Sequence, residues 1–129
     1  NGLAIRSPGP GADAAFDAVE LQVLDDSPEH YPDLQPYQSH GSAYGLAPAA
    51  RGYLRPVGEW NYQETIVDGD HIEVHLNGHK ILDTNLAEVR EKPMDGRPHP
   101  GAARTKGHFG FAGHGDPVAF RKVRIKELK

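Results

Sequence analysis

The sequence predicts an all-β protein that folds as a jelly-roll β-sandwich. Apolar and polar residues alternate with a period of two over several short segments, as expected for strands with one buried face. The 15 glycines and 11 prolines are spread between these segments instead of forming one tract, which is typical of turns in a β protein. Six or seven short strands joined by loops of about ten residues favour a sandwich.

Length and composition indicate one domain over residues 1–129. Of the 129 residues, 37% are hydrophobic, which is enough for a single core. The formal net charge of −4 provides no basic face for nucleic acid, and no apolar run is long enough to span a membrane. Because the chain has no cysteine, disulfides, thiolate catalysis and cysteine-ligated zinc are excluded.

The first two strands are predicted near the start of the chain. Leu3 and Ile5 alternate with Ala4 and Arg6, and the Pro- and Gly-rich residues that follow end this strand. A strand at the very first residues indicates a truncated domain, so we expect the sandwich to lack N-terminal strands. The second strand is predicted within residues 16–26. One of its faces carries three apolar residues, Val19, Leu21 and Val23.

The clearest pattern is a β-meander in the middle of the chain. Strands are predicted over Trp60–Val67, His71–Leu76 and Lys80–Leu82. Asp68-Gly69-Asp70 and Asn77-Gly78 separate them, and such Asp-Gly and Asn-Gly pairs supply the positive φ that tight hairpins require. We therefore expect these strands to be antiparallel neighbours.

The rest of the chain alternates between strands and loops. Further strands are predicted over residues 37–46, 108–112 and 118–128. Loops are predicted over three polar segments, 27–36, 47–58 and 83–106. The last strand needs a β-bulge near Arg121 and Lys122 to keep its apolar residues on one face. Leu86–Arg90 has a weak helical pattern, but we favour a loop there. Long loops in a compact domain favour a binding or catalytic rim.

A row of polar side chains on the second strand is the main candidate for chemistry. Glu20 and Gln22 point away from the apolar face, and Asp25 joins them if a bulge near Leu24 shifts the register. The row is similar to the acid row of laminarinase-type glycoside hydrolases, whose outer carboxylates are nucleophile and general acid. Gln22 in the middle position argues against that mechanism here. The alternative interpretation is a set of solvated strand residues.

Arg6 is a candidate partner for these acids. If the first two strands are neighbours, its guanidinium can reach Glu20 or Asp25. There it would keep a carboxylate ionised and donate a hydrogen bond to a sugar oxygen. The alternative is a surface ion pair of little energetic consequence.

Aromatic residues and one histidine form a second group of candidates. Tyr37, His40 and Tyr44 occur in one short segment, and they suit sugar stacking and proton transfer. Trp60 is either a core aromatic or a residue that stacks on a sugar, and a core position is the better interpretation.

Eight histidines raise the question of a metal site. His71, His75 and His79 would share one face of a helix, but Asn77-Gly78 and the apolar period of two exclude a helix. On a strand, His71 and His75 lie about 13 Å apart, too far to share one ion. We therefore expect no metal and no cofactor.

Five sequence blocks carry a family resemblance. They are NGLAIRSP (1–8), VELQVLDD (19–26), GEWN (58–61), VHLNG (74–78) and the segment 107–126, which contains GHFGF and FRKVRIK. With these blocks in series, the chain resembles the C-terminal two thirds of the 3-keto-disaccharide hydrolase domain family, formerly a domain of unknown function. The resemblance implies a concanavalin-like lectin/glucanase fold and a periplasmic or extracellular location. It also implies an open sheet edge that a missing segment or a second copy of the chain covers.

The resemblance implies cleavage of 3-keto-glycosides by removal of the C2 proton, elimination of the aglycone and hydration. The expected partner is an oligosaccharide or 3-keto-glycoside substrate. Four side chains are expected to carry the chemistry: Glu20, Asp25, Arg6 and His40. The two acids are the candidate bases, and the other two are candidates for the enolate oxygen. Five side chains are expected to contact the sugar: Gln22, Tyr37, Tyr44, Trp60 and His114. Of these, Tyr44 or His114 would assist departure of the leaving group. A non-catalytic carbohydrate-binding module is the alternative function.

Overall fold

Among residues 1–128, which the computed structural model describes, six strands form two antiparallel sheets of three strands each. The strands are β1 (Gly2–Ser7), β2 (Val19–Gln22), β3 (Gln63–Asp68), β4 (His71–Leu76), β5 (His79–Asn85) and β6 (His108–Ala112). The first sheet has the order β2–β1–β6, and the second has the order β3–β4–β5. The predicted all-β sandwich is confirmed.

The hydrophobic core lies between the two sheets. On β4, Ile72, Val74 and Leu76 are buried while the residues between them are not. On β2, Val19 and Leu21 are buried in the same way and join the same cluster. Other strands and the segments between strands add further members: Ile5, Leu82, Leu86, Leu46 and Ala102. Because strand side chains alternate, the polar residues of β2 and β4 face outward on opposite sides of the sandwich.

The central meander is confirmed. Asp68 pairs with His71 across the first hairpin, and Leu76 pairs with His79 across the second. At the second turn, Asn77 has a φ of 50° and Gly78 a φ of 85°, the conformation for which Asn-Gly is selected. The outer strands differ in length from the prediction, since β3 begins at Gln63 and β5 continues to Asn85.

Helical structure is limited to short turns. The described helices are one α-helical turn, α1 (Leu86–Val89), and two 3₁₀ turns, Pro36–Gln38 and Pro100–Ala103. The loop favoured over α1 is wrong, because the Asn85 side chain accepts a hydrogen bond from the Ala87 amide (2.9 Å) and caps the turn. Within residues 1–128, no helix is long and apolar enough to cross a bilayer.

The strand predicted over residues 37–46 is largely wrong, but part of it extends the first sheet. Only a single bridge joins Ala43 to Leu21 of β2. The amide of Gln22 donates to the Ser42 carbonyl (2.9 Å), and the amide of Tyr44 donates to the Glu20 carbonyl (2.9 Å). Turns dominate the rest of this segment, and they hold Tyr44 beside β2.

The strand predicted over residues 118–128 is also wrong. None of the described residues beyond Ala102 is buried, and the apolar Val123 and Ile125 are exposed. A strand requires a neighbour to pair with, and none of the described segments pairs with this one. Lys122, with a φ of 52°, interrupts the extended backbone near the expected bulge. The expectation that a missing segment or a second copy of the chain covers an open sheet edge stays a prediction.

The two isoleucines at opposite extremes of burial test this description. Ile72 is 0% exposed and Ile125 is 72% exposed. We expect Ile72→Ala to lower the free energy of unfolding by about 2–5 kcal/mol, because it leaves a cavity in the core. The matched Ile125→Ala change is expected to alter it by no more than about 0.5 kcal/mol. Urea unfolding of both variants provides the measurement, and a similar loss for both would contradict an exposed C-terminal segment.

Candidate active site

A cleft of about 570 Å³ opens on the outer side of the first sheet. Six of the side chains around it bear on its chemistry: Phe16, Glu20, Gln22, Tyr44, Arg97 and His114. The four of them predicted from the sequence are Glu20, Gln22, Tyr44 and His114. The cleft therefore brings together part of the predicted site, with one acid, one amide, one phenol and one imidazole.

The alternation of β2 directs Glu20 and Gln22 into the cleft, because Val19 and Leu21 occupy the core. Next to them the sheet carries only small residues. Ala4 lies opposite Glu20, and Gly2 lies opposite Gln22; β6 continues this row with Gly110 and Ala112. A β-carbon at Gly2 would collide with the Glu20 carboxyl group. The Glu20 side chain therefore lies over Gly2, and the sheet surface next to it carries no side chain larger than a methyl group.

The environment of Glu20 favours its neutral form. Partial burial is the largest influence and raises the pKa of Glu20 above its usual value. The nearby charge of Asp13 raises it further, whereas the N-terminal ammonium and His114 oppose the shift. A carboxyl group with a raised pKa inside a cleft is a typical general base or acid.

Tyr44 is held in the cleft by its backbone and by a second tyrosine. Its amide bonds to the Glu20 carbonyl (2.9 Å), which fixes its position along β2. The ring of Tyr37 packs edge-on against the ring of Tyr44, with centroids 5.8 Å apart and an interplanar angle of 86°. Tyr37 does not line the cleft itself. It supports Tyr44 from behind.

His114 enters the cleft from the turn that follows β6. Its amide donates to Oδ1 of Asn1 (2.9 Å), which ties this turn to the start of β1. The nearness of His114 lowers the pKa of Glu20, against the larger effect of burial.

The far wall of the cleft was missed by the sequence analysis, which treated residues 83–106 as a polar loop. The Arg97 guanidinium lies 4.0 Å from the centroid of the Phe16 ring, a cation–π arrangement. The Phe16 ring also packs on His99 at 4.9 Å between centroids. A proline- and glycine-rich loop gives no local signal that it will fold back over β2, so only the charge of Arg97 could have suggested a role.

A buried pair of hydrogen-bonded side chains anchors this wall. Nε2 of His99 bonds to both carboxylate oxygens of Asp95 (2.9 and 3.0 Å), and both side chains are buried. Nδ1 of His99 donates to the Ala15 carbonyl (3.0 Å). Through these bonds the imidazole joins the loop that carries Arg97 to the segment that carries Phe16. Removal of either side chain would leave a buried polar group without its hydrogen-bond partner, which is usually destabilising.

Arg6 does not reach the predicted acids. Its φ of 56° and the register shift between Ala4 and Ser7 turn the backbone at this point. The guanidinium instead donates to the carbonyls of Arg104 (3.0 Å) and Gly69. Arg6 thus ties the first sheet to the loop at Arg104 and to the β3–β4 turn, and its expected catalytic role stays a prediction.

Asp25 also lies apart from Glu20. Its carboxylate accepts hydrogen bonds from the amide and hydroxyl of Ser27 (both 3.2 Å), and it lies 2.7 Å from Nδ1 of His30. These bonds stabilise a local turn, and Asp25 lines a second cavity of about 260 Å³ rather than the cleft. The bulge that would have aligned the two acids does not occur, since β2 ends at Gln22.

His40 is a buried link between the two sheets. Its Nδ1 accepts from the Leu24 amide (3.2 Å), so its Nε2 carries the proton and donates to Oε1 of Gln63 (2.8 Å). Burial lowers the pKa of His40, against the smaller opposing influences of Gln63 and Asp26. His40 lies outside the cleft and lines the second cavity together with Asp25, and its expected role at the enolate oxygen stays a prediction.

Trp60 does not line the cleft and is not a core residue, and its expected contact with a sugar stays a prediction. Its side chain is 43% exposed. The Arg121 guanidinium lies 3.9 Å from the centroid of its ring, which connects the start of the meander to the C-terminal segment.

Comparisons with known proteins bear on the whole chain. A model described as a 3-keto-alpha-glucoside-1,2-lyase-like domain matches residues 1–126. The chain is 31% identical over 130 residues to a 3-keto-disaccharide hydrolase of Bacteroides thetaiotaomicron. This alignment covers 86% of the present chain and 44% of the length of that protein.

Two solved structures from Parabacteroides distasonis, both described as candidate glycosyl hydrolases, are also similar. The first has a TM-score of 0.75 and 31% identity, covering 89% of this chain and 64% of that chain. The second has a TM-score of 0.50 and 24% identity, covering 65% and 41%, and supports the fold alone. The chain therefore spans less than two thirds of the length of each of these relatives.

The neutral state of His40 predicts a pH dependence of stability. The unfolded chain takes up a proton at His40 near the usual histidine pKa of 6.5, while the folded chain does not. Stability from this site is therefore complete above that pH and is lost as the pH falls toward the lowered pKa of the folded state, by at most about 1.4 kcal/mol per pH unit.

We expect His40→Asn to remove this acid limb, the fall in the free energy of unfolding between pH 8 and pH 5. Urea unfolding at each pH provides the measurement. His108→Asn, a change at an exposed histidine, is the matched control and should keep the limb. An acid limb of equal slope in both variants would show that His40 does not cause it.

Proposed function

This chain belongs to the family of 3-keto-alpha-glucoside-1,2-lyase-like domains, and on that premise we propose that its cleft cleaves 3-keto-glycosides by elimination followed by hydration. The observation that carries the proposal is Glu20, a carboxyl group of raised pKa in a cleft that also contains a phenol, an imidazole and a guanidinium. The name of the curated relative, a 3-keto-disaccharide hydrolase, supports the same substrate class.

The reaction suits this set of groups because it needs a base rather than a nucleophile. A ketone at C3 acidifies the proton on C2. The base removes that proton, and the electron pair forms an enolate whose negative charge lies on the C3 oxygen. The enolate then re-forms the ketone, a double bond forms between C1 and C2, and the aglycone oxygen leaves C1. Water adds its hydroxyl group to C1 and its proton to C2, which completes net hydrolysis.

Glu20 is the proposed base. It is ionised above its raised pKa, and a raised pKa increases its affinity for the proton that it removes. Its position beside the small residues Gly2 and Ala4 lets the sugar ring approach closely. Gln22 lies on the same strand face, roughly 7 Å along β2, where its amide can bond to a sugar hydroxyl. An amide at this position agrees with a mechanism that uses no second carboxylate.

The remaining cleft residues have complementary roles in the proposal. Arg97 supplies positive charge for the enolate oxygen in place of Arg6 and His40, neither of which lines the cleft. Tyr44 or His114 donates a proton to the departing aglycone oxygen. Asp25 has no role, because its carboxylate belongs to a separate turn.

Substrate discrimination tests the proposed reaction class. We expect release of 4-nitrophenol from a 4-nitrophenyl 3-keto-glucoside and none from the parent glucoside, because only the ketone acidifies C2. Equal release from both would indicate ordinary glycosidase chemistry. Release from neither, together with retained sugar binding, would indicate a carbohydrate-binding module.

Replacement of Glu20 tests its role in this reaction. We expect Glu20→Gln to lower kcat by about 10²–10⁴-fold, the usual contribution of a positioned base. In the unmodified chain, kcat/KM should fall as the pH drops through a pKa above the usual glutamate value, since only the ionised carboxylate accepts the proton. Initial rates across pH provide the measurement.

Glu91→Gln, a change at an exposed glutamate outside the cleft, is the matched control and should keep full activity. A Glu20→Gln variant with the kcat of the control would remove Glu20 from the mechanism.

A further inference from the structure

The outer face of the second sheet carries a cluster of metal-ligating groups that the proposed reaction does not use. His71, Glu73 and His75 alternate along β4 with core residues, so they all face away from the interior. Asp83 of β5 lies directly opposite Glu73. This face is on the opposite side of the sandwich from the Glu20 cleft.

Three of these side chains converge on one point. Nε2 of His71 lies 2.7 Å from Oδ1 of Asp83 and 3.6 Å from Oε1 of Glu73. One ligand atom from each residue lies within 4.8 Å of the other two. Ligands of a tetrahedral zinc ion are about 3.4 Å apart, so only small side-chain rotations separate the observed arrangement from a coordination sphere.

Two further residues orient the carboxylates toward His71. Nε2 of His75 lies 2.8 Å from Oε2 of Glu73, and Nζ of Lys80 donates to Oδ2 of Asp83 (2.7 Å). Each carboxylate thus has one oxygen held by a neighbour and one oxygen directed at His71. Anchoring of this kind, in which an outer group fixes a ligand by a hydrogen bond, is common around protein metal sites.

The charge of this face also favours a cation. Glu73 and Asp83 are directly opposed on adjacent strands, and like charges in that position are destabilising. Two more carboxylates share the face, since Glu64 pairs with His75 and Asp68 pairs with His71 across β3 and β4. Lys80 is the one lysine at these paired positions of the three described strands. A divalent ion between Glu73 and Asp83 would remove their repulsion.

We propose that His71, Glu73 and Asp83 bind a divalent transition-metal ion of the Zn²⁺ class, which joins β4 to β5. One imidazole and two carboxylates match the mixed nitrogen and oxygen ligands of zinc, and water completes the sphere. The sequence analysis missed this site because it compared histidines only with one another. His71 and His75 do not share the ion; one is a ligand and the other orients a ligand.

Cobalt and zinc titrations of the purified chain test the proposal. Co²⁺ reports coordination through its visible absorption, and Zn²⁺ competes for the same site. We expect one equivalent of Co²⁺ to bind, Zn²⁺ to displace it, and the thermal midpoint of unfolding to rise with Zn²⁺. His71→Ala and the isosteric Asp83→Asn should each abolish the absorption, and His75→Ala should weaken Zn²⁺ affinity about 10–100-fold.

His108→Ala is the matched control, because it removes an exposed imidazole far along the chain. It should bind Co²⁺ as the unmodified chain does. Asp83→Asn keeps the test decisive if His71→Ala fails to fold, and a thermal melt of each variant verifies the fold. Absence of saturable binding, or binding retained in the folded Asp83→Asn variant, or an equal loss in His108→Ala, would each overturn the proposal.

Discussion

The alternation of buried and outward-facing side chains on β2 and β4 is the constraint on which the rest of the structure depends. Val19 and Leu21 pack from one sheet, and Ile72 and Val74 from the other, into a single cluster. A shift of either strand by one residue would place polar side chains in the core and expose apolar ones. The same contacts that stabilise the sandwich therefore fix Glu20 on one outer surface and His71 on the other.

Local sequence patterns were sufficient to predict how a strand pairs wherever its neighbouring strands are close in the chain. Asn77-Gly78 determined the hairpin between β4 and β5, and the alternation around Glu20 correctly indicated that its side chain leaves the core. Tyr44 and His114 were proposed because their residue types suit sugar contact and proton transfer; both line the cleft, and their roles stay predictions. The organisation as one domain over 1–129 and the exported location stay predictions.

The failures involve interactions that no short segment encodes. The positive φ of Arg6 redirects its side chain toward Gly69, which lies 63 residues away. His40 suits catalysis as a residue type, yet a hydrogen bond to Gln63 and burial make it a structural link. Arg97 reaches the cleft because His99, which is paired with Asp95, also bonds to the distant Ala15 carbonyl and so holds its loop. In each case the determining contact is long-range, so composition and periodicity could not predict it.

The proposed reaction requires Glu20 to be a partly buried carboxyl group of raised pKa in a cleft that holds the sugar. NMR titration of its side-chain carboxyl carbon, with and without a non-reactive 3-keto-sugar analogue, measures both properties at once. We expect a midpoint above the usual glutamate value in the free chain and a further change when the analogue binds. A midpoint at or below the usual value, with no response to the analogue, would contradict this requirement.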